Sequence, residues 1–176
     1  MATGTVIPVE EYLGTYYEPD MEYVDGQLVE RSVGERLHSR LQLILGSILR
    51  DREAERGFEA FTEQRIRIQD RRRYRIPDVC VKAVPYDPAP VLDCPDVAIE
   101  ILSPDDTLTA ASEKCAEYLQ AGIPGIWVVD PYRKALYRYA PGGLQLLALP
   151  VLENELIGAI DFAPIFAELD RSGRRR

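Results

Sequence analysis

The sequence predicts an α/β protein in which a mixed β-sheet is flanked by helices. Two stretches, at about 34–56 and 106–121, carry apolar residues at helical spacing. Four short apolar runs of strand type lie between these stretches, and further strand-like runs follow them. Strands and helices do not alternate regularly, which favours a mixed sheet over a purely parallel one.

The N-terminal elements are a short helix and a β-hairpin. Residues 9–13 have the composition of a short helix. Asp25-Gly26 lies between two alternating apolar runs, which is a strong short-range pattern for a hairpin. We therefore expect an N-terminal β-hairpin with strands at about 21–24 and 27–31.

The long helix at 34–56 has one apolar stripe and ends at Gly57, a residue suited to the left-handed position after a helix. The only histidine, His38, borders this stripe, where a histidine is more often structural than catalytic. Glu22 lies on the hairpin, where an exposed cross-strand residue is the commoner kind. Both residues are therefore weaker site candidates.

The remaining elements follow from alternation, prolines and glycines. Strands are expected at 58–62, 64–69, 78–83, 96–102 and 126–130. A polar turn is expected at 70–74, and a loop without regular structure in the proline-rich 84–95. A C-terminal β-hairpin is expected at 135–148, followed over 156–169 by a strand or turn and a short helix.

Length and composition are those of a single soluble domain, residues 1–176, with a core at about 9–170 and a basic tail at 171–176. No apolar run approaches the roughly 18 residues that span a bilayer, and no secretory signal is evident, so no membrane partner is expected. The three cysteines lack C-x-x-C spacing, which argues against disulfides and structural zinc and fits a reducing cytoplasm.

Two carboxylates, Asp78 and Glu100, lie among apolar neighbours in predicted strands. A buried carboxylate is costly unless a cation or a metal ion compensates it. We expect these two residues to bind a divalent metal, with the main-chain carbonyl of Ile101 as a further ligand. Without the metal the two carboxylates would repel each other, so Asp78→Asn is expected to raise the melting temperature.

Arginines are concentrated just before Asp78. Candidates for contact with a phosphate backbone are Arg65, Arg67, Arg72, Arg73 and Arg75. The net charge of −8 counts against broad attraction to nucleic acid, although a local basic patch can still meet phosphates. A solvated arginine-rich hairpin explains the same pattern equally well.

Several ordered motifs together carry a family resemblance. I-P-D-V-C-V precedes D-V-A-I-E-I-L-S-P by about twenty residues, and K-x-x-x-Y-x-x-A-G-I-P and W-V-V-D-P follow. With E-Y-V-D-G-Q-L-V-E and the helix histidine, the chain from residue 9 to about 170 resembles the Uma-type putative restriction endonuclease family. That family belongs to the PD-(D/E)XK nuclease superfamily. The resemblance implies a restriction-endonuclease-like fold and an Mg²⁺- or Mn²⁺-dependent endonuclease that hydrolyses DNA.

The resemblance also implies roles for individual residues. Asp78 matches the aspartate of the PD element and Glu100 the second acid. The superfamily lysine would stand two positions later, where this chain has Leu102. Family members carry a lysine on the following helix instead, which here is Lys114.

Two further positions match the family, Glu22 as a third metal ligand and His38 as a group for proton transfer or phosphate contact. Many superfamily members are dimers, and the hairpin at 135–148 is the candidate interface. Two alternatives stay open, a non-catalytic nucleic-acid-binding or complex-forming domain, and a different metal-dependent hydrolase or structural subunit. Neither the preferred substrate sequence nor the biological role follows from the sequence.

Overall fold

The computed structural model describes residues 6–30, 35–69 and 73–171. The helices in these ranges are α1 (Val9–Gly14), α2 (Arg36–Arg50), α3 (Glu53–Arg56), α4 (Leu108–Gln120) and α5 (Phe162–Arg171). The strands are β1 (Met21–Val24), β2 (Gln27–Glu30), β3 (Phe58–Thr62), β4 (Ile66–Gln69), β5 (Arg73–Arg75), β6 (Val79–Ala83), β7 (Leu92–Asp93), β8 (Val97–Ile101), β9 (Gly125–Asp130), β10 (Ala135–Ala140), β11 (Gly143–Leu146), β12 (Val151–Asn154) and β13 (Gly158–Asp161). None of the described helices is both long enough and apolar enough to cross a bilayer.

A six-stranded mixed sheet forms the centre, with the strand order β11-β10-β9-β8-β6-β3. Its β8–β9 pair is parallel and its other pairs are antiparallel. Helix α4 connects the two parallel strands, as a parallel pair requires a crossover. The predicted class, a mixed sheet flanked by helices, is confirmed.

The two faces of this sheet pack against different helices. Val81 lies in one apolar cluster with Leu45 of α2, and Ala98 lies in another with Tyr118 of α4. Successive side chains of a strand point to opposite faces. Glu100, two residues after Ala98, therefore lies on the face that α4 covers.

A second sheet, of order β2-β1-β5-β4-β7, contains a strand that the sequence reasoning missed. Residues 70–74 were predicted as a turn, but Arg73–Arg75 forms β5 between β1 and β4. Tyr74 packs against Tyr12 and Tyr23, while the arginines on either side pair with carboxylates. An arginine-rich segment forms a strand here because its charges have partners.

The other differences from the predicted elements are local. The long helix is divided into α2 and α3 near Arg52, whose N–H bonds the carbonyl of Leu49 three residues back and tightens the turn. The proline-rich loop contains the two-residue β7, and β12 pairs with β13 in a ribbon that was not anticipated. Gly57 ends α3 with φ +71°, as predicted.

Candidate active site

Asp78 lies immediately before β6 and is 4% exposed. Its Oδ2 accepts a hydrogen bond from the Ile101 main-chain N–H at 2.7 Å, and its Oδ1 lies 3.2 Å from Nε2 of His38. Burial opposes ionisation, but the His38 contact, the Lys114 charge and the Ile101 N–H together hold the pKa of Asp78 below its usual range. Asp78 is therefore a carboxylate at neutral pH.

Glu100 is the last but one residue of β8 and is 8% exposed. Its Oε1 accepts a hydrogen bond from the Tyr118 hydroxyl, and its Oε2 lies 3.1 Å from Nζ of Lys114. Burial raises the pKa of Glu100 to about 7, with Asp78 and Glu22 adding to the rise while Lys114 opposes it. Glu100 is thus poised between its neutral and charged forms near pH 7.

Lys114 projects from α4 toward these carboxylates. Its Nζ lies 2.9 Å from Oε1 of Glu22, 3.1 Å from Oε2 of Glu100 and 3.4 Å from the carbonyl oxygen of Ile76. Burial alone would lower its pKa, but the carboxylates of Glu100, Glu22 and Asp78 raise it above its ordinary value. Lys114 is therefore an ammonium that can stabilise negative charge, and it cannot serve as a base.

Glu22 is buried on β1, so the expectation that it is an exposed cross-strand residue was wrong. Its Oε1 accepts a hydrogen bond from the Ile76 N–H at 3.0 Å, and its Oε2 accepts one from Nη1 of Arg75 at 2.7 Å. Pairing of β5 with β1 brings Arg75 to this carboxylate. Burial disfavours its charge, but Lys114 and Arg75 lower the pKa of Glu22.

The side chains of Asp78, Glu100, Lys114 and Glu22 line one cavity of about 350 Å³. The predicted candidates that line it are Glu22, His38, Arg75, Asp78, Glu100, Ile101 and Lys114, and Leu102 lines it too. The fold therefore brings together all the predicted catalytic and metal-binding residues from five separate elements and their flanks. Their roles remain predictions.

The donor set suits a divalent ion of the Mg²⁺ type. Among the described residues no group of three or more His, Cys, Asp or Glu side chains forms a metal site of its own. Mg²⁺ commonly uses one or two carboxylates and keeps several waters, so two carboxylates such as those of Asp78 and Glu100 would be enough to hold it. Burial is the largest cause of the raised pKa of Glu100, and the positive charge of Lys114 opposes it.

Of the candidate phosphate-binding arginines that the structure describes, only Arg75 lines the cavity. Arg67 and Arg73 form ion pairs with Asp93 and Asp25, and the Arg65 guanidinium lies 4.4 Å from the centre of the Tyr12 ring. Arg75 pairs with Glu22 and Glu117 at the cavity. Arg72 lies outside the described residues.

The sequence analysis gave no role to Tyr118 and Glu117, which bond charged groups of the site. Tyr118 bonds Glu100, and Glu117 receives two hydrogen bonds from Arg75 and one from Arg73. Both follow Lys114 within about one turn of α4 and so face the same side of the site. Tyr118 belongs to the K-x-x-x-Y motif that begins at Lys114, and this spacing is the sequence pattern that places both side chains on one side of a helix.

Replacing Asp78 with Asn is expected to destabilise the metal-free protein by about 1–2 kcal/mol at neutral pH. This reverses the expectation from sequence, because His38 and the Ile101 N–H are structural partners that outweigh repulsion from Glu100. A lowered pKa stabilises the fold above the unfolded pKa, and this contribution is lost as the pH falls through the folded pKa. Urea unfolding should show a smaller difference in the free energy of unfolding between the wild-type protein and Asp78→Asn at pH 3 than at pH 7.

The matched control for this stability measurement is Asp93→Asn, at an exposed surface ion pair with Arg67. It should change the free energy of unfolding by less than about 1 kcal/mol. A higher melting temperature for Asp78→Asn than for the wild-type protein would contradict the stabilising role of the carboxylate.

Comparison with known proteins bears on this site. The Uma2 family model, described as "Putative restriction endonuclease", matches residues 9–164. No curated protein matches the chain. A crystal structure described as a putative nuclease belonging to DUF820 from Anabaena variabilis ATCC 29413 is 24% identical, with a TM-score of 0.80 over 93% of this chain and 99% of that chain. That likeness shows a shared fold. Since the family model covers most of the chain, the chain belongs to the Uma2 family of putative restriction endonucleases.

Proposed function

We propose that this chain is an endonuclease that hydrolyses DNA phosphodiester bonds with Mg²⁺ or Mn²⁺ as its cofactor. One observation carries the proposal: the Asp78 and Glu100 carboxylates and the Lys114 ammonium surround a single cavity in a chain of a restriction endonuclease family. Phosphodiester hydrolysis requires an activated water and positive charge around the phosphate. A carboxylate-bound divalent ion and a lysine meet both needs.

Asp78 and Glu100 would bind the ion, with the Ile101 main-chain carbonyl as a further ligand. When bound, such an ion makes water nucleophilic near neutral pH and neutralises phosphate charge. Lys114 adds a second positive charge, which stabilises the negative charge that builds on the phosphate oxygens as the bond to water forms and a bond to a sugar oxygen breaks. His38 orients the Asp78 carboxylate, and proton transfer or phosphate contact is its second proposed role.

Binding of DNA is assigned to the arginine cluster. Arg65, Arg67, Arg72, Arg73 and Arg75 are the proposed phosphate contacts. Because Arg67, Arg73 and Arg75 are paired with carboxylates, a phosphate must replace or share those partners. With a net charge of −8 as well, we expect weak, strongly salt-dependent binding in which bound metal helps to neutralise the cavity.

A homodimer through the C-terminal hairpin is proposed as the active form. Leu146 on β11 is 64% exposed and Leu149 just beyond it is 72% exposed, so this edge of the main sheet presents apolar side chains. Large exposed apolar groups at a sheet edge are typical of association sites.

Cleavage assays on supercoiled, linear duplex and single-stranded DNA test the proposed activity. The wild-type protein should cut with Mg²⁺ or Mn²⁺ and not with EDTA. Asp78→Ala and Glu100→Ala should abolish cutting, whereas Asp170→Ala, at a surface pair with Lys134, should leave it unchanged. Cleavage that survives both site substitutions would overturn the site assignment.

The alternative function is a non-catalytic nucleic-acid-binding or complex-forming domain that retains the fold. It predicts salt-sensitive DNA binding without cleavage, and binding that survives Asp78→Ala and Glu100→Ala. The same samples, measured by fluorescence anisotropy and by gel assay, distinguish the two functions.

A further inference from the structure

Four charged side chains that line the cavity are joined by a series of three ion pairs across three elements. Lys114 of α4 pairs with Glu22 of β1 at 2.9 Å, and Glu22 pairs with Arg75 of β5 at 2.7 Å. Arg75 in turn donates to both carboxylate oxygens of Glu117, at 2.8 and 2.9 Å. Glu117 lies on α4 three residues after Lys114, so the series begins and ends on the same helix.

Glu22 accepts from three different residues. Its Oε1 accepts from the Ile76 N–H and from Lys114, and its Oε2 accepts from Arg75. Two of these donors are full positive charges within 3 Å of the carboxylate. A divalent ion on the same oxygens would have to displace or approach both cations, which Coulomb repulsion opposes in a buried site.

The geometry around Lys114 shows what Glu22 does instead. A lysine has a long flexible stem, and its ammonium carries three N–H donors. Glu22, Glu100 and the Ile76 carbonyl supply three acceptors, of which Glu22 is the nearest. Glu22 also bonds the Ile76 N–H, so it ties Lys114 to the backbone two residues before Asp78.

We propose that Glu22 is a positioning residue that holds the Lys114 ammonium beside Glu100, and that it is not a ligand of the metal ion. This assignment rests on the proposed nuclease function and replaces the ligand role that the family resemblance implied for Glu22. It makes the N-terminal hairpin part of the active centre. Arg75 fixes Glu22 from the opposite side, and Glu117 fixes Arg75.

Selective acylation of lysines tests this assignment without any need for DNA. The chain has only three lysines, Lys82, Lys114 and Lys134, so the two others act as internal references in the same molecule. In Glu22→Gln, acylation of Lys114 by a small reagent, followed by mass spectrometry, should accelerate about tenfold relative to Lys134, because loss of the nearest carboxylate charge favours the neutral amine, which is the form that reacts. Asp25→Asn is the matched control on the same hairpin, because Asp25 pairs with Arg73 and not with Lys114, and it should leave the rate unchanged.

Binding of Mn²⁺, measured by calorimetry on the same proteins, separates positioning from ligation. Glu22→Gln should keep the Mn²⁺ dissociation constant within about threefold of the wild-type value, while kcat for cleavage falls about 10- to 100-fold. A loss of Mn²⁺ affinity of tenfold or more, or an unchanged Lys114 acylation rate, would overturn the proposal. If Glu22→Gln does not fold, Glu22→Asp gives the same test, because it keeps the charge near Arg75 and shortens the reach to Lys114 by one methylene.

These readouts keep the two proposals distinguishable. Faster Lys114 acylation in Glu22→Gln with unchanged Mn²⁺ affinity supports the positioning role of Glu22, whether or not the wild-type protein cuts DNA. Failure of the wild-type protein to cut DNA counts against the nuclease function alone.

Discussion

Lys114→Met is expected to lower the rate of metal-dependent DNA cleavage about a thousandfold, the effect of removing one preorganised charge-stabilising donor. Methionine has a similar length but no charge. The variant therefore lacks the ammonium that lies beside Glu100 and that would stabilise charge on the phosphate oxygens. Leu102, two positions after Glu100, is apolar and cannot supply this charge. Single-turnover cleavage at saturating Mg²⁺ measures the loss.

Two further measurements make this prediction specific to Lys114. Lys134→Met, at a surface pair with Asp170, should cleave at the wild-type rate. Mn²⁺ affinity of Lys114→Met should be equal to or tighter than that of the wild-type protein, since the ammonium no longer competes for Glu100. Cleavage by Lys114→Met within tenfold of the wild-type rate would show that another group supplies the charge.

Mn²⁺ affinity is expected to fall about tenfold for each pH unit below 7, because a ligand must be deprotonated to bind metal. The buried Glu100 has its pKa raised to about 7 and is therefore increasingly protonated below that pH. Asp78, whose pKa is lowered, remains ionised over this range and does not contribute to the pH dependence of Mn²⁺ affinity. Calorimetric titrations at pH 7.5, 6.5 and 5.5 should show the trend.

The raised pKa of Glu100 also affects the stability of the metal-free protein. A raised carboxyl pKa favours the folded state while the group is protonated, and this contribution is lost as the pH rises through the folded value. The metal-free protein should therefore lose stability as the pH approaches and passes about 7, and Mg²⁺ should restore it. A Mn²⁺ affinity that is flat from pH 5.5 to 7.5 would exclude Glu100 as a titrating ligand.

The strand that follows Asp78 and the strand that contains Glu100 could be predicted from sequence, because short apolar runs bounded by prolines are typical of buried strands. The N-terminal hairpin was predicted from Asp25-Gly26, and both residues have positive φ in the structure, as a tight hairpin turn requires. Local chemistry determines these features, so a single sequence contains them.

Features that depend on distant partners could not be predicted in this way. Arg73–Arg75 resembles a solvated turn until Asp25, Glu22 and Glu117 are brought beside it. Glu22 looked exposed because one strand of a hairpin does not reveal that a second strand, β5, will pair with its other edge. The division of most strands between a six-stranded and a five-stranded sheet also depends on long-range pairing.

The structure of the protein crystallised with Mn²⁺ tests the proposed metal site most directly, because anomalous scattering locates the ion without reference to activity. A peak is expected in the cavity, with one carboxylate oxygen of Asp78 and one of Glu100 at about 2.1 Å and Lys114 still beside Glu100. The absence of a peak there at saturating Mn²⁺, or a peak bound by neither Asp78 nor Glu100, would contradict the proposed site.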